Sequence, residues 1–276
     1  MSHPKTFRFA PSPNGRLHLG HAYSALTTWA AAQAVGGQVL LRIEDIDRAR
    51  CKPEFDAAII GDLTWLGLAW HGPILRQSGR FELYQSAAKT LTDRGLLYPC
   101  SCSRTQIAAR ATAKDPDGAP LYPGTCRHLK REESLARIAA GEAVQWRLDM
   151  GKAVALAGPL TFREKGETVE ADPARWGDAV IVRKDTPTSY HLSVVIDDAD
   201  QGVTDVTRGM DLFAATDLHV LLQSLLGLPV PDYAHHGLIT DEGAEKLAKS
   251  RGSKSLADLR AEGWTPADVR HRLGFG

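Results

Sequence analysis

The sequence predicts an open α/β fold on a parallel sheet, interrupted by an insertion and ended by a short helical piece. Three observations predict it. A strand, a helix and a second strand follow one another within the first 43 residues, the crossover that joins parallel neighbours. Between about 100 and 185 the texture changes to short strand-like pieces and Pro/Gly/Asp-rich loops. Apolar periodicity then resumes and carries on to Leu226.

Thr6 to Ala10 alternates as a short strand, and Pro11-Ser12-Pro13-Asn14-Gly15 holds too many turn formers to extend it. Gly20 to Val35 reads as a helix, because Ala22, Ala25, Leu26, Trp29 and Ala30 recur at three- and four-residue spacing before Gly36-Gly37 stops it. Gln38 to Ile43 is the next strand, and helices are expected around 53–67 and 79–95. Ligands of such sheets sit beyond the carboxyl ends of the strands, which points to Ala10–Gly20 and Glu44–Asp47. Within the insertion, Val144–Leu148 and Leu160–Arg163 read as short strands. The α/β pattern resumes with Ala179–Val182 and His191–Ile196, followed by a helix-like Leu212–Leu226. From Tyr233 the chain runs through a loop holding Glu245-Lys246-Leu247-Ala248-Lys249-Ser250, then two short helical pieces to Gly276. The expected units are therefore 1–99 and 186–232 as two halves of one α/β domain, 100–185 as the insertion, and 233–276 as loop and helical end.

Composition bounds the function. The 276 residues suffice for one large domain or two moderate ones. Thirty-three Lys+Arg offset thirty-three Asp+Glu, which excludes a uniformly basic nucleic-acid coat while leaving local patches open. With 43% hydrophobic and 24% charged residues, a mainly disordered, collagen-like or coiled-coil chain is excluded. No apolar run approaches the roughly 18 residues of a membrane span, and the start lacks the apolar stretch of a signal peptide. A cytoplasmic protein without membrane contact is expected. Four cysteines do not make a disulfide framework, and in a reducing compartment clustered cysteines more often bind metal.

His18-Leu19-Gly20-His21 lies where a loop passes into a helix amino terminus, whose free N–H groups and dipole favour phosphate. Two imidazoles there can donate to a triphosphate, and Gly20 lets a flat base approach the backbone. Helix-start histidines are common, so the tetrapeptide alone is weak evidence. Its neighbours strengthen it. Arg8-Phe9-Ala10-Pro11-Ser12-Pro13-Asn14-Gly15-Arg16-Leu17 leading into that tetrapeptide, then Arg42-Ile43-Glu44-Asp45-Ile46-Asp47, then Lys246 to Ser250, resemble in order and spacing the class I glutamyl-tRNA synthetase family. Residues 18–21 match its HIGH signature, and 246–250 its KMSKS loop with Leu-Ala in place of Met-Ser. The resemblance runs from about residue 5 to 255 and includes Tyr190-His191-Leu192 and Val206-Thr207-Arg208-Gly209.

This resemblance implies a Rossmann-type class I catalytic sheet and ATP-dependent activation of L-glutamate. The α-carboxylate attacks the α-phosphorus, pyrophosphate leaves, and the protein contributes by positioning reactants and stabilising phosphate charge. His18, His21, Lys246 and Lys249 supply that stabilisation, with His18, Gly20, His21 and Lys249 on ATP and Mg²⁺ accompanying the nucleotide. Without the first signature, Lys246 and Lys249 would read as a solvated loop pair. Glutamate carries two carboxylates and an ammonium, so its site needs guanidinium and carboxylate partners, which Arg8, Arg208 and Glu44 can provide. By resemblance Arg8, Phe9, Ala10, Pro11, Ser12, Glu44, Tyr190 and Arg208 line the pocket, Glu44 on the ammonium and Arg208 near the side-chain carboxylate. A structural ion pair is the alternative for Arg8 or Arg208. Asp45 and Asp47 read as turn and cap residues.

Cys100-x-Cys102, nineteen intervening residues and Tyr122-x-x-x-Cys126 put three thiols and a phenol in one loop-rich segment. Zinc takes four ligands tetrahedrally and favours thiolates, with His128 a rival fourth ligand. The family often carries zinc at this insertion, and the resemblance implies one structural zinc on Cys100, Cys102, Tyr122 and Cys126. Cys51 stands apart and reads as an ordinary small side chain.

Glutamyl-tRNA synthetases continue past their second signature with a helical region that reads the anticodon, whereas this sequence ends 26 residues after Ser250. It thereby resembles a truncated branch of the family that attaches glutamate to queuosine in the anticodon of aspartate tRNA. The implied partners are ATP, L-glutamate and tRNA(Asp) carrying queuosine, with no anticodon-binding domain and a monomeric chain. The alternatives are a minimal or fragmentary glutamyl-tRNA synthetase charging the 3′ end of tRNA(Glu), and, more distantly, a nucleotidyltransferase with a His-x-Gly-His helix start.

Overall fold

The structure is a computed structural model and describes residues 4–239 and 254–276. The chain opens with β1 (Thr6–Phe9), whose four residues are all buried, as befits a central parallel strand. Helix α1 (Leu19–Ala34) follows and packs Ala22, Ala25, Leu26 and Ala32 inward. It returns the chain to β2 (Gln38–Ile43), which pairs parallel with β1 from Thr6↔Gln38 to Phe9↔Leu41. Helix α2 (Pro53–Trp65) begins on a proline, with Glu54 and Asp56 in its first turn, where the helix dipole favours negative charge. It leads to β3 (Leu75–Arg76), parallel to β2, and then to α3 (Phe81–Asp93). Apart from β3, which no pattern announces, each of these elements lies where periodicity and turn residues predict it, within two residues at each end.

The next stretch builds a separate layer. Strands β4 (Leu97–Cys100) and β5 (Gln145–Leu148) pair antiparallel, with the short helices α4 (Arg104–Ala108) and α5 (Arg131–Ala139) between them. After α6 (Met150–Ala157) come β6 (Thr161–Glu164) and β7 (Glu167–Glu170), a hairpin. Its turn is Lys165-Gly166, at φ 51° and 88°. Strand β8 (Val180–Val182) pairs antiparallel with β5, so the segment read from Ala179 as a resumption of the main pattern completes the insertion's own sheet instead.

His191–Ile196 lies inside helix α7 (Tyr190–Asp200), which buries every residue from Leu192 to Asp198. A helix covered on all sides has no polar face to display a 3.6-residue period. Strand β9 (Asp205–Gly209) then carries Arg208, helix α8 (Ala215–Leu226) runs across, and β10 (Asp232–His236) pairs parallel with β9. Strand β9 lies beside β1, joined where Thr204 N–H donates to the Thr6 carbonyl at 2.9 Å and Thr6 N–H to Thr204 Oγ1 at 2.8 Å. The hairpin joins the far side, since β6 pairs parallel with β10 at Tyr233↔Glu164. The strands therefore run β3-β2-β1-β9-β10-β6-β7. Chain order reverses between β1 and β9, the topological switch point where such sheets open a ligand crevice.

Two apolar clusters support this layout. One joins Phe7, Leu26, Leu41, Ile59 and Leu63 to Leu256, Leu259 and Val269, so the terminal helices α9 (Leu256–Ala261) and α10 (Pro266–Arg272) dock on the first half of the sheet. The other packs Tyr84, Leu91, Leu148, Leu192, Leu218 and Leu222 between α3, α6, α7, α8 and the antiparallel sheet. Each fully buried Leu contributes roughly 1.5–3 kcal/mol of hydrophobic stabilisation.

Candidate active site

A cavity of about 570 Å³ opens at the switch point. The carboxyl end of β1 brings Arg8 and Phe9 to its wall, with Ala10, Pro11 and Ser12 following in the loop. His18, Gly20 and His21 come from the start of α1, Glu44 from just beyond β2, Tyr190 from the first residue of α7, and Arg208 from β9. All of the expected pocket residues inside the described region thus meet in one cavity. Lys246 and Lys249 lie outside the described residues. On either side of that segment, Ile239 lines the cavity and Ser255 makes an antiparallel bridge with His18.

The two histidines cap their own helix. His18 Nδ1 accepts from Gly20 N–H and His21 Nδ1 accepts from His18 N–H, each at 3.1 Å. An imidazole whose Nδ1 accepts carries its proton on Nε2, so the capping geometry makes both rings Nε2–H donors. A Cβ on Gly20 would stand 3.0 Å from the His18 ring, so glycine here makes room for the capping imidazole, a role the sequence reading assigned to an approaching base.

Beneath the cavity lies a buried charge cluster. Asp198 takes Arg8 Nε at 3.0 Å and Arg42 Nη2 at 2.8 Å, and Arg42 also reaches Glu44 at 3.4 Å. Burial works to raise the Asp198 carboxyl, but Arg8 and Arg42 outweigh it and carry it below the ordinary value. For Glu44, 8% exposed, burial prevails over Arg42 and Arg8 and pushes the carboxyl up to about 7. Arg8 closes the ion pair that the structural alternative foresees and lines the cavity as well. Arg208 does not. Its guanidinium, 5% exposed, is held by His235, His219 and Thr216, and among the described residues no carboxylate comes within ion-pair range of it. Asp47 closes the turn to Arg50, the turn role expected of it, whereas Asp45 reaches across the fold to accept from Ser78 N–H at 2.8 Å.

His219, His235 and Glu164 were not singled out in sequence. The adjacent pair His235-His236 was the one signal present, and Glu164 reaches His235 through a strand pairing no local pattern announces.

In the insertion, Cys100, Cys102 and Cys126 bring their sulfurs within 4.8 Å of one another, a set that could hold a metal ion. Tyr122 Oη stands 3.3 Å from Cys100 Sγ and accepts from Cys126 N–H at 2.8 Å, while Cys102 and Cys126 are 3.5 Å apart. The Arg147 guanidinium covers the Tyr122 ring at 3.9 Å. His128 is exposed and takes no part in the cluster. Cys51 sits half-buried by the Glu44 carbonyl, away from the other three.

A parallel sheet reversing at a crevice, with capping histidines on one wall and paired arginine and glutamate on another, defines the class I tRNA synthetase catalytic fold. The chain matches the family model described as tRNA synthetases class I (E and Q), catalytic domain, over residues 6–273, and it belongs to that family. It is 49% identical to the Glutamyl-Q tRNA(Asp) synthetase of Rhodobacter capsulatus over 97% of this chain and 99% of that protein. It is 43% identical to the protein of the same name from Symbiobacterium thermophilum, over 97% of this chain and 85% of that one. The crystal structure of a glutamate tRNA ligase from Elizabethkingia meningosepticum in complex with its amino acid superposes with a TM-score of 0.77 at 27% identity. This chain is covered to 96% there and spans 59% of that protein.

Proposed function

We propose that this protein activates L-glutamate with ATP and transfers the glutamyl group to queuosine in the anticodon of tRNA(Asp). The observation that carries the reading is Arg208, a buried cation on the cavity wall that no carboxylate among the described residues neutralises, with the carboxyl of Glu44 lining the same cavity. A guanidinium held only by uncharged partners and one carboxylate are the complement of an amino acid with an anionic side chain. The names of the two relatives support the acceptor.

In this reading Glu44 receives the substrate ammonium and Arg208 its side-chain carboxylate, with Arg8 and Tyr190 shaping the cavity between them. The α-carboxylate oxygen attacks the α-phosphorus of ATP, the bond to the bridging oxygen breaks, and pyrophosphate leaves. His18 and His21 donate from Nε2 to the phosphates, and Lys246 and Lys249 add positive charge to the leaving group. Mg²⁺ bound with the nucleotide supplies further charge neutralisation. The acceptor hydroxyl then attacks the acyl carbon and AMP leaves. A smaller cavity of about 120 Å³ shares Ser12, Asn14, Glu44 and Tyr190 with the main one.

The cysteine cluster fits zinc. Tetrahedral Zn–S bonds of about 2.3 Å set thiolates about 3.8 Å apart, close to the 3.5 Å between Cys102 and Cys126. Cys100, Cys102, Tyr122 and Cys126 would hold it as a structural ion, pinning the insertion that meets the tRNA. The units 1–99 and 186–232, 100–185 and 233–276 serve as catalytic halves, acceptor-side insertion and loop-bearing end, except that the β6–β7 hairpin and β10 lend their strands to the parallel catalytic sheet. The reading takes one chain as the working unit, in the cytoplasm with its tRNA; no helix among the described residues is long and apolar enough to cross a membrane.

The test is charging with labelled glutamate of tRNA(Asp) carrying queuosine, the same tRNA carrying guanosine, and the queuosine form with its 3′ end removed. Acceptance by both queuosine forms and none by the guanosine form is expected. Acceptance that vanishes when only the 3′ end is removed would overturn the queuosine assignment in favour of 3′-end charging, with tRNA(Glu) as the next substrate to assay.

A further inference from the structure

Two arginines line the cavity, and they are held in opposite ways. Arg8 gives its Nε to Asp198. Arg208 gives Nε to His235 Nε2 at 3.0 Å, Nη1 to His219 Nδ1 at 3.1 Å and Nη2 to Thr216 Oγ1 at 2.7 Å, three acceptors without formal charge. We propose that His219, His235 and Thr216 are positioning residues that present Arg208 as a cation with no carboxylate partner among the described residues, and that the neutrality of the two imidazoles sets the preference for a carboxylate over an amide. The proposal rests on the reading of the cavity as a glutamate site.

Arginine offers only donors, so each nitrogen it meets must present a lone pair. His235 Nε2 is therefore bare and its proton sits on Nδ1, which donates to Glu164 Oε2 at 2.7 Å, while Glu164 Oε1 accepts the His235 backbone N–H at 2.8 Å. His219 Nδ1 is bare as well, so its Nε2–H donates to His191 Nδ1 at 3.2 Å. One arginine thus orders three imidazoles, each in a single neutral tautomer. The placement comes from the sheet: Arg208 and His235 are register partners on β9 and β10, and α8 lays Thr216 and His219 over them.

The groups around this chain agree with neutrality. Burial and Arg208 press His191 down to about 4, and burial, Arg208, His191, Arg8 and His235 press His219 well below its usual value. For His235, burial and Arg208 together with Lys165 outweigh Glu164 and bring it to about 4. Tyr233, whose ring lies 5.2 Å from the Arg208 guanidinium, is pushed up to about 12 and stays neutral. An aspartate or glutamate in place of either histidine would satisfy the same guanidinium but cancel its charge. A neutral amide would then fit as well as a carboxylate.

The test is the isosteric pair His219→Asn and His219→Asp, whose Oδ1 stands where Nδ1 stood, assayed by amino-acid-dependent exchange between pyrophosphate and ATP with glutamate and glutamine. Thermal unfolding of both variants provides the folding control. His219→Asn is expected to keep the glutamate-to-glutamine ratio of kcat/KM within about threefold of wild type. His219→Asp is expected to raise the KM for glutamate at least tenfold with kcat little changed, and to narrow the ratio by a similar factor. A ratio unchanged in the folded His219→Asp protein, or lost equally in both variants, overturns the proposal alone. Wild-type exchange with neither amino acid overturns the glutamate reading and the proposal with it.

Discussion

At the scale of single residues, Glu44 controls how the site responds to pH. Its carboxyl is raised by burial to about 7, against roughly 4.3 for an exposed glutamate. The sign follows directly. A carboxyl raised in the folded chain favours its protonated form there, so it adds stability at acid pH that is lost as pH climbs from about 4 through 7. Binding an ammonium needs the opposite, ionised form. The KM for glutamate in pyrophosphate exchange is therefore expected to rise severalfold as pH falls from 8 to 6, while thermal stability over the same range does not fall for this group's part. A KM flat across that interval would remove Glu44 from the ammonium. Arg208→Gln separates charge from shape in the same cavity. Losing its charge-assisted contacts should cost at least 10²-fold in kcat/KM for glutamate and leave glutamine little affected, which exchange assays with both amino acids would reveal.

At the scale of elements, helix α1 combines a fold role and a chemical role in the same side chains. His21 Nδ1 closes the cap on His18 N–H, and in the proposed mechanism its Nε2–H donates to the phosphates. The two roles come apart on substitution. His21→Asn keeps an acceptor at the Nδ1 position and loses the donor, so unfolding should stay near wild type while adenylate formation drops on the order of 10²-fold. His21→Ala loses both, adding about 1 kcal/mol of destabilisation. Equal stability losses in the two variants, measured by denaturant unfolding, would show that the cap does not work through Nδ1. Lys249→Ala tests the second signature by rate alone, with a loss of similar size expected in single-turnover adenylation.

At the scale of the whole molecule, the cavity and the cysteine cluster belong to different layers. The cavity sits on the parallel sheet, whereas Cys100, Cys102 and Cys126 are held by the antiparallel sheet and its loops. One zinc per chain is expected to copurify. Cys126→Ser should release it and raise proteolytic sensitivity within 100–185, with glutamate-dependent exchange retained and transfer to tRNA reduced. Exchange lost in step with metal would tie the two layers together and contradict this division.

Much of this was legible in the linear chain because it is local. Turn formers after Phe9 end β1, glycines after Val35 end α1, and Arg8–Ser12 and His18–His21 reach one cavity because a few covalent bonds hold them there. Spacing likewise marked the three cysteines and Tyr122, with His128 left as a rival that the exposed surface then removed. What the sequence by itself determined was therefore the first crossover, the histidine-bearing helix start, the cysteine cluster and the family. Only the tertiary structure decided that β8 closes the insertion's sheet, that Asp198 meets Arg8 across 190 positions, and that neutral histidines surround Arg208. Those partners sit on separate strands and helices, and they meet only when the whole core fixes strand register and helix docking, which no local run of residues encodes.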